Sequence, residues 1–311
     1  MLKRITDLPF FVLLMGISSL AMIAPAAFAL SHGHHAIARP FFYSMILFML
    51  LTTLIGFATH GQQPRRVARS HLITLVGAYL ILPILLAVPF HEAHGRTTFF
   101  DAWFEMVSSF STTGATVYDN AGRLSPPLNL WRAMVGWMGG LMTWIAAFAI
   151  FAPMNLGGFE VRATSTAGRG TAHGAAQSSR IADPTERLVR FAVRLTPIYV
   201  TLTFILWVGL VFLGEFPYIA LCHAMSVMAT SGISPVGGVE QAQTGLSGEA
   251  VMVLFMLFAL SRLTFSKDTV TATQGRLQTD PEFRIGIFVV IAVPLLLFGR
   301  HFLGAFDVAA M

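Results

Sequence analysis

The chain has 311 residues, 55% of hydrophobic type and 11% charged, with a mean hydropathy of +0.69. A soluble globular domain carries about 25% charged residues, so that class is excluded. A single cysteine, Cys222, excludes an intramolecular disulfide scaffold and any CxxC metal or redox site.

A helix rises about 1.5 Å per residue through a hydrocarbon core about 30 Å thick, so a span needs about 20 mostly apolar residues. In chain order, spans are expected at Leu8–Leu30, Pro40–Ala58, Leu72–Phe90, Trp131–Ala152, Phe191–Leu213, Glu249–Ser266 and Arg284–Leu303. The first follows Lys3 and Arg4 and ends near Ala27-Phe28-Ala29, which also fits a signal peptide. Its apolar run exceeds the usual core of about 7–15 residues, so it reads as a retained helix. The long segment Asn155–Arg190, rich in Gly, Ala, Ser, Thr and Arg, reads as a polar linker.

With the N-terminus inside, all Lys and Arg fall on the inner side except Arg39, Arg96, Arg123, Arg132 and Arg300. Cytoplasmic flanks retain basic residues, so the net charge of +5 is topology and calls for no nucleic-acid partner. The lipid bilayer is the partner that composition demands.

Thr98–Phe110 and Pro217–Ala229 have 13 residues each, enough for only about 20 Å of helix. They cannot cross, and each lies between two outward-facing span ends. Each therefore dips in and returns, and irregular backbone at membrane depth is tolerated where it lines a watery cavity or is buried in protein. Setting Gly114 over Gly232, an offset of 118, also aligns Ser108 with Ser226, Thr112 with Thr230, Thr113 with Ser231 and Thr116 with Ser234. The same offset carries Leu72–Phe90 and Trp131–Ala152 onto later spans, so a whole helix–dip–helix unit is used twice in parallel.

The fold expected is an all-α polytopic membrane protein with parallel helix–pore loop–helix repeats and two extra N-terminal helices. Residues 1–60 hold those two helices, 61–154 the first repeat, 155–190 a cytoplasmic linker and 191–270 the second repeat. Residues 271–311 hold the first helix of an incomplete third. A dehydrating cation exchanges water for oxygens, and successive backbone carbonyls of an extended loop supply them. Thr112, Thr113, Gly114 and Ala115, with Thr230, Ser231, Gly232 and Ile233, are the candidate ion-binding residues. Glycine permits the dihedrals that aim carbonyls inward, and Thr and Ser add oxygens. A single Thr-Gly after a helix reads as an ordinary C-terminal turn; two in matching hairpins read as a pore.

The segment Phe104–Val117, the run Trp131-Arg132 with Gly136-Trp137-Met138-Gly139-Gly140, and His223–Gly232 together resemble the TrkH/Ktr/HKT superfamily of potassium transporters, most closely its bacterial TrkH branch. The resemblance implies potassium uptake across the bacterial inner membrane through four such repeats. It implies a homodimer gated by a cytoplasmic, nucleotide-binding ring of the TrkA type. It implies potassium as substrate, with no covalent cofactor and no enzyme activity. Glycine at position 114 goes with potassium preference in that superfamily. The chain supplies two of four repeats and reads as truncated after the second, which leaves a non-conducting or assembly-dependent half-transporter as the alternative.

Glu105, inside the first short helix, is expected to pair with Arg132, because an ionisable group at that depth is costly alone. His32, His34 and His35 form a cluster of the kind that can bind metal but read as loop histidines without function, and His91-Glu92-Ala93-His94 lacks the four-residue spacing of an HExxH zinc motif. The rival from another class is an intramembrane hydrolase, which needs a serine and a histidine within hydrogen-bond reach. His223 is the histidine placed inside a membrane segment, and no GxSxG elbow surrounds a serine.

Overall fold

A computed structural model describes residues 10–59, 67–151, 184–260 and 281–309, all helical or irregular, with no strand among them. In order, the helices are α1 (Phe10–Ala21), α2 (Ile23–Ser31), α3 (His35–Thr59), α4 (Val67–His94), α5 (Phe99–Phe110), α6 (Pro126–Ala146), α7 (Pro184–Phe212), α8 (Pro217–Ala229), α9 (Gly245–Leu260) and α10 (Pro281–Ala309). Four stretches among the described residues are long and apolar enough to cross a membrane: Phe10–Ser31, His35–Thr59, Leu72–His94 and Leu188–Phe212.

The first expected span is interrupted at Met22. Pro25 has no N–H to give the carbonyl of Ala21 and its ring crowds that carbonyl, which separates α1 from α2. The expected linker lies outside the described residues up to 183, and its last residues, Pro184–Arg190, are the first turns of α7. Pro184 suits this helix start, since its fixed φ is already helical. The expected end of the Glu249–Ser266 span also lies outside the described residues.

The offset of 118 seen in the sequence recurs in the secondary structure. Helix α5 begins at Phe99 and α8 at Pro217; α4 ends at His94 and α7 at Phe212. A single 3₁₀ turn follows each loop, at Ala121–Arg123 and at Val239–Gln241. Two sequences that share few side chains thus make the same helix–short helix–loop–helix path.

The chain divides into two compact units, Met1–Val253 and Leu254–Met311. In the first, α6 packs against both short helices, α5 and α8. Trp131 of α6 is fully buried, meets the edge of Phe41 from α3 at a centroid distance of 5.6 Å and donates its Nε1–H to the Leu86 carbonyl at 3.2 Å. On the opposite side of α6, Leu130 and Ala133 pack with Cys222, Met225 and Ile233, so Cys222 is core rather than chemistry. In the second unit, α10 exposes Phe288, Leu296, Leu297 and Phe298, as expected of a helix immersed in lipid or awaiting neighbours.

Candidate functional site

Both short helices end in the same backbone figure. Thr112 and Thr230 adopt φ of +58° and +53°, and two residues later Gly114 and Gly232 adopt +73° and +67°. The amides of Thr112 and Thr113 donate to the carbonyls of Ser109 and Ser108, each at 2.9 Å; those of Thr230 and Ser231 donate to Val227 and Ser226, each at 3.0 Å. These bonds close each helix and turn the chain out of it. Sequence reasoning assigned the left-handed dihedrals to glycine alone, whereas a threonine takes one in each loop. A β-branched residue there is a genuine outlier, costing on the order of 1–3 kcal/mol, and such strain concentrates where function over-determines the backbone.

The carbonyl oxygens explain what the turn achieves. Among the described residues no donor reaches the carbonyls of Thr112, Thr113 or Gly114, nor those of Thr230, Ser231, Gly232 or Ile233. Thr113, Thr230 and Gly232 are exposed, so their carbonyls are open to water or to an ion, whereas those of the buried Ser231 and Ile233 lack the partners that backbone acceptors away from water ordinarily have. The Ala115 carbonyl accepts the Ser108 hydroxyl at 2.6 Å, which uses one of its two lone pairs and ties it to the short helix. The C-terminal ends of α5 and α8 lead directly into these runs, adding the negative end of each helix dipole.

The two loops touch. A Cβ on Gly114 would lie 1.8 Å from the Ser231 carbonyl oxygen and 3.8 Å from the Gly232 carbonyl carbon, so only glycine lets the two backbones approach this closely. Helix α6 forms the wall behind them. A Cβ on Gly139 would lie 1.9 Å from the Phe110 carbonyl oxygen, and one on Gly140 would lie 3.0 Å from Ala229 and 2.8 Å from the Tyr199 hydroxyl. Adjacent glycines thereby seat the C-terminal ends of both short helices on one helix, the small-residue packing that membrane interiors favour.

Side chains hold the outgoing limb of each loop. Glu105, fully buried, accepts the Thr116 hydroxyl at 2.7 Å and the Val117 amide at 2.8 Å, and its other oxygen pairs with Arg132 Nε at 2.7 Å. The expected partner is therefore the observed one. Arg132 also donates to Asn129 at 3.3 Å. Farther out, the Tyr118 hydroxyl donates to Thr97 at 3.0 Å, and burial raises that phenol above its ordinary range, keeping it a donor. In the second repeat, His223 Nε2 meets the Ser234 hydroxyl at 2.9 Å, and Glu215, at the position of Thr97, accepts the Gln243 amide at 3.0 Å.

The profile of TrkH, described as a cation transport protein, matches residues 37–259. The chain belongs to the TrkH family. This is a family of transporters rather than enzymes, and the apolar helices of this TrkH-family chain make it a membrane protein. Over 292 residues it is 25% identical to the Trk system potassium uptake protein TrkH of Vibrio parahaemolyticus, covering 92% of this chain and 58% of that protein. It is 24% identical to the TrkH of Escherichia coli K12 over 294 residues, or 93% of this chain and 59% of the relative. The crystal structure of the potassium transporter TrkH from Vibrio parahaemolyticus superposes with a TM-score of 0.74 at 23% identity, covering 95% of this chain and 58% of that one. The chain thus spans somewhat over half the length of these relatives, and the shared fold has the parallel repeats that the sequence implied.

The structure brings Gly114 against Ser231 and Gly232, and no group of three or more His, Cys, Asp or Glu side chains that could hold a metal ion occurs among the described residues. His223 and Ser234 do meet the distance a hydrolase would need, but the His223 Nδ1 is buried with no partner to orient it. The Ser234 oxygen also accepts two backbone amides, which leaves no poised nucleophile. Sequence reasoning missed the roles of Ser108, His223 and Ser234. The offset of 118 already aligned Thr116 with Ser234, and extending it to Glu105 and His223 would have found the anchors.

Proposed function

We propose that the chain forms part of a potassium uptake pathway of the bacterial inner membrane, with Thr112, Thr113 and Gly114 and Thr230, Ser231, Gly232 and Ile233 supplying carbonyl oxygens to the dehydrated ion. The observation that carries the reading is the two runs of donor-free carbonyls brought side by side by loops of identical backbone figure. Oxygens held in place without internal partners exchange for a hydration shell at little reorganisation, and they favour cations over anions. Ala115 offers the remaining lone pair of a carbonyl that the Ser108 hydroxyl holds in place. The names of the relatives support potassium as the ion.

The relatives' greater length supports a second reading, a half-transporter that conducts only when further repeats join it. Homodimer formation and gating by a TrkA-type ring belong to the same proposal, as does a linker at 155–190 facing the cytoplasm with the N-terminus inside. The purified full chain is expected to unfold at a higher temperature in potassium chloride than in choline chloride, because a ligand bound only by the folded state stabilises it. Identical midpoints in the two salts would refute cation binding. Rescue of a potassium-uptake-deficient bacterium on low-potassium medium, by the chain alone or only together with additional repeats, separates the two readings. Labelling of Ser178→Cys from outside intact cells would reject the proposed topology.

A further inference from the structure

Positions 105 and 223 occupy the same place in the two repeats, and so do Thr116 and Ser234. In each repeat one buried side chain of the short helix reaches the hydroxyl on the limb leaving the loop. The chemistry of the two anchors differs. Glu105 accepts, and Arg132 meets its charge; the offset places Ala250 where Arg132 stands, so a carboxylate at 223 would have no matching cation from its own repeat. A neutral imidazole removes that difficulty.

His223 meets the loop through one ring nitrogen. The ring is 2% exposed, and its Nδ1 is buried without a partner among the described residues. Its Nε2 lies 2.9 Å from the Ser234 hydroxyl, a hydrogen bond whose donor follows from the ring's tautomer. That oxygen also accepts the amides of Gly238 at 3.0 Å and Val236 at 3.3 Å, and it lies 3.4 Å from the Gly238 carbonyl. A single hydroxyl thereby organises the turn from Ser234 to Gly238, directly after the free carbonyls of Thr230–Ile233.

We propose that His223 is the positioning residue of the second loop: its Nε2 pegs the Ser234 hydroxyl and through it the turn that fixes the Thr230–Ile233 carbonyls, as the Glu105 carboxylate does for the first loop. Its effect on cations rests on the ion-pathway reading above; the peg itself does not. The test uses the full chain in detergent and two readouts, amide hydrogen exchange and the difference in unfolding midpoint between potassium and sodium chloride. His223→Leu is expected to speed exchange at Val236 and Gly238 by about tenfold or more, as for a local opening, while leaving Val117 unchanged. It is also expected to remove about half or more of the potassium-over-sodium difference, because misplaced carbonyls bind the preferred ion less well. His223→Gln, which keeps a polar group able to donate or accept, restores both. Ser234→Ala removes the same bond from the loop side and gives the same pair of changes should His223→Leu fail to fold.

Unchanged exchange at Val236 and Gly238 in both variants would overturn the peg. Faster exchange with an unaltered potassium–sodium difference would overturn the positioning role and leave a purely structural bond. A wild-type chain with equal midpoints in the two salts would overturn the ion-pathway reading and the positioning role together, with the exchange data still deciding the peg separately.

Discussion

Replacing Gly114 and Gly232 by serine separates two effects that are usually confounded. Both glycines hold a positive φ, so either substitution carries the left-handed penalty of about 1–2 kcal/mol. Their surroundings differ. A Cβ at 232 meets nothing within 4 Å, whereas a Cβ at 114 falls 1.8 Å from the Ser231 carbonyl oxygen, which is backbone. Opening that contact to an ordinary carbon–oxygen separation of about 3.3 Å displaces the second loop's carbonyl by roughly 1.5 Å. Binding geometries tolerate about 0.5 Å, so Gly114→Ser distorts both loops and Gly232→Ser only its own. The expected outcome is at least a roughly tenfold loss of potassium-over-sodium preference for Gly114→Ser, equivalent to about 1.4 kcal/mol, and a smaller loss for Gly232→Ser. Apparent affinities taken from unfolding midpoints titrated with each salt measure the ratio. A folded Gly114→Ser chain with the wild-type ratio, or a Gly232→Ser chain affected as strongly, would refute the argument from loop contact.

Gly139→Ala drives a methyl into the Phe110 carbonyl and should destabilise by about 1–3 kcal/mol or more, read as a lowered unfolding midpoint. Gly209→Ala, with open space around its added Cβ, should instead be neutral or stabilising by up to about 1 kcal/mol. Glu105→Gln leaves the Arg132 guanidinium buried without its counter-charge and should cost about 3–5 kcal/mol by the same assay. Removing both charges with Glu105→Gln and Arg132→Met should recover part of that loss, and a strictly additive double variant would count against the pair.

The sequence by itself determined the membrane class, the doubled helix–loop–helix unit and the places where each loop would turn. Those features depend on hydropathy, on segment length against bilayer thickness and on an internal offset, all of which are local or linear properties. The offset carried through to backbone detail, since Thr112 and Thr230 share a dihedral outlier and the 3₁₀ turns at Ala121–Arg123 and Val239–Gln241 correspond. Arg132 as the partner of Glu105 was also legible, because a charge at that depth demands a counter-charge within reach.

Tertiary structure decided which oxygens are free and how the repeats meet. Ala115 is indistinguishable from its neighbours in a string of letters, yet the Ser108 hydroxyl seven residues earlier claims its carbonyl. The approach of Gly114 to Ser231 and of Gly140 to Ala229 joins segments roughly a hundred residues apart, and Gly139 meets Phe110 across about thirty. Such contacts depend on how the helices pack, and interlocking surfaces leave no periodic trace in the sequences that make them.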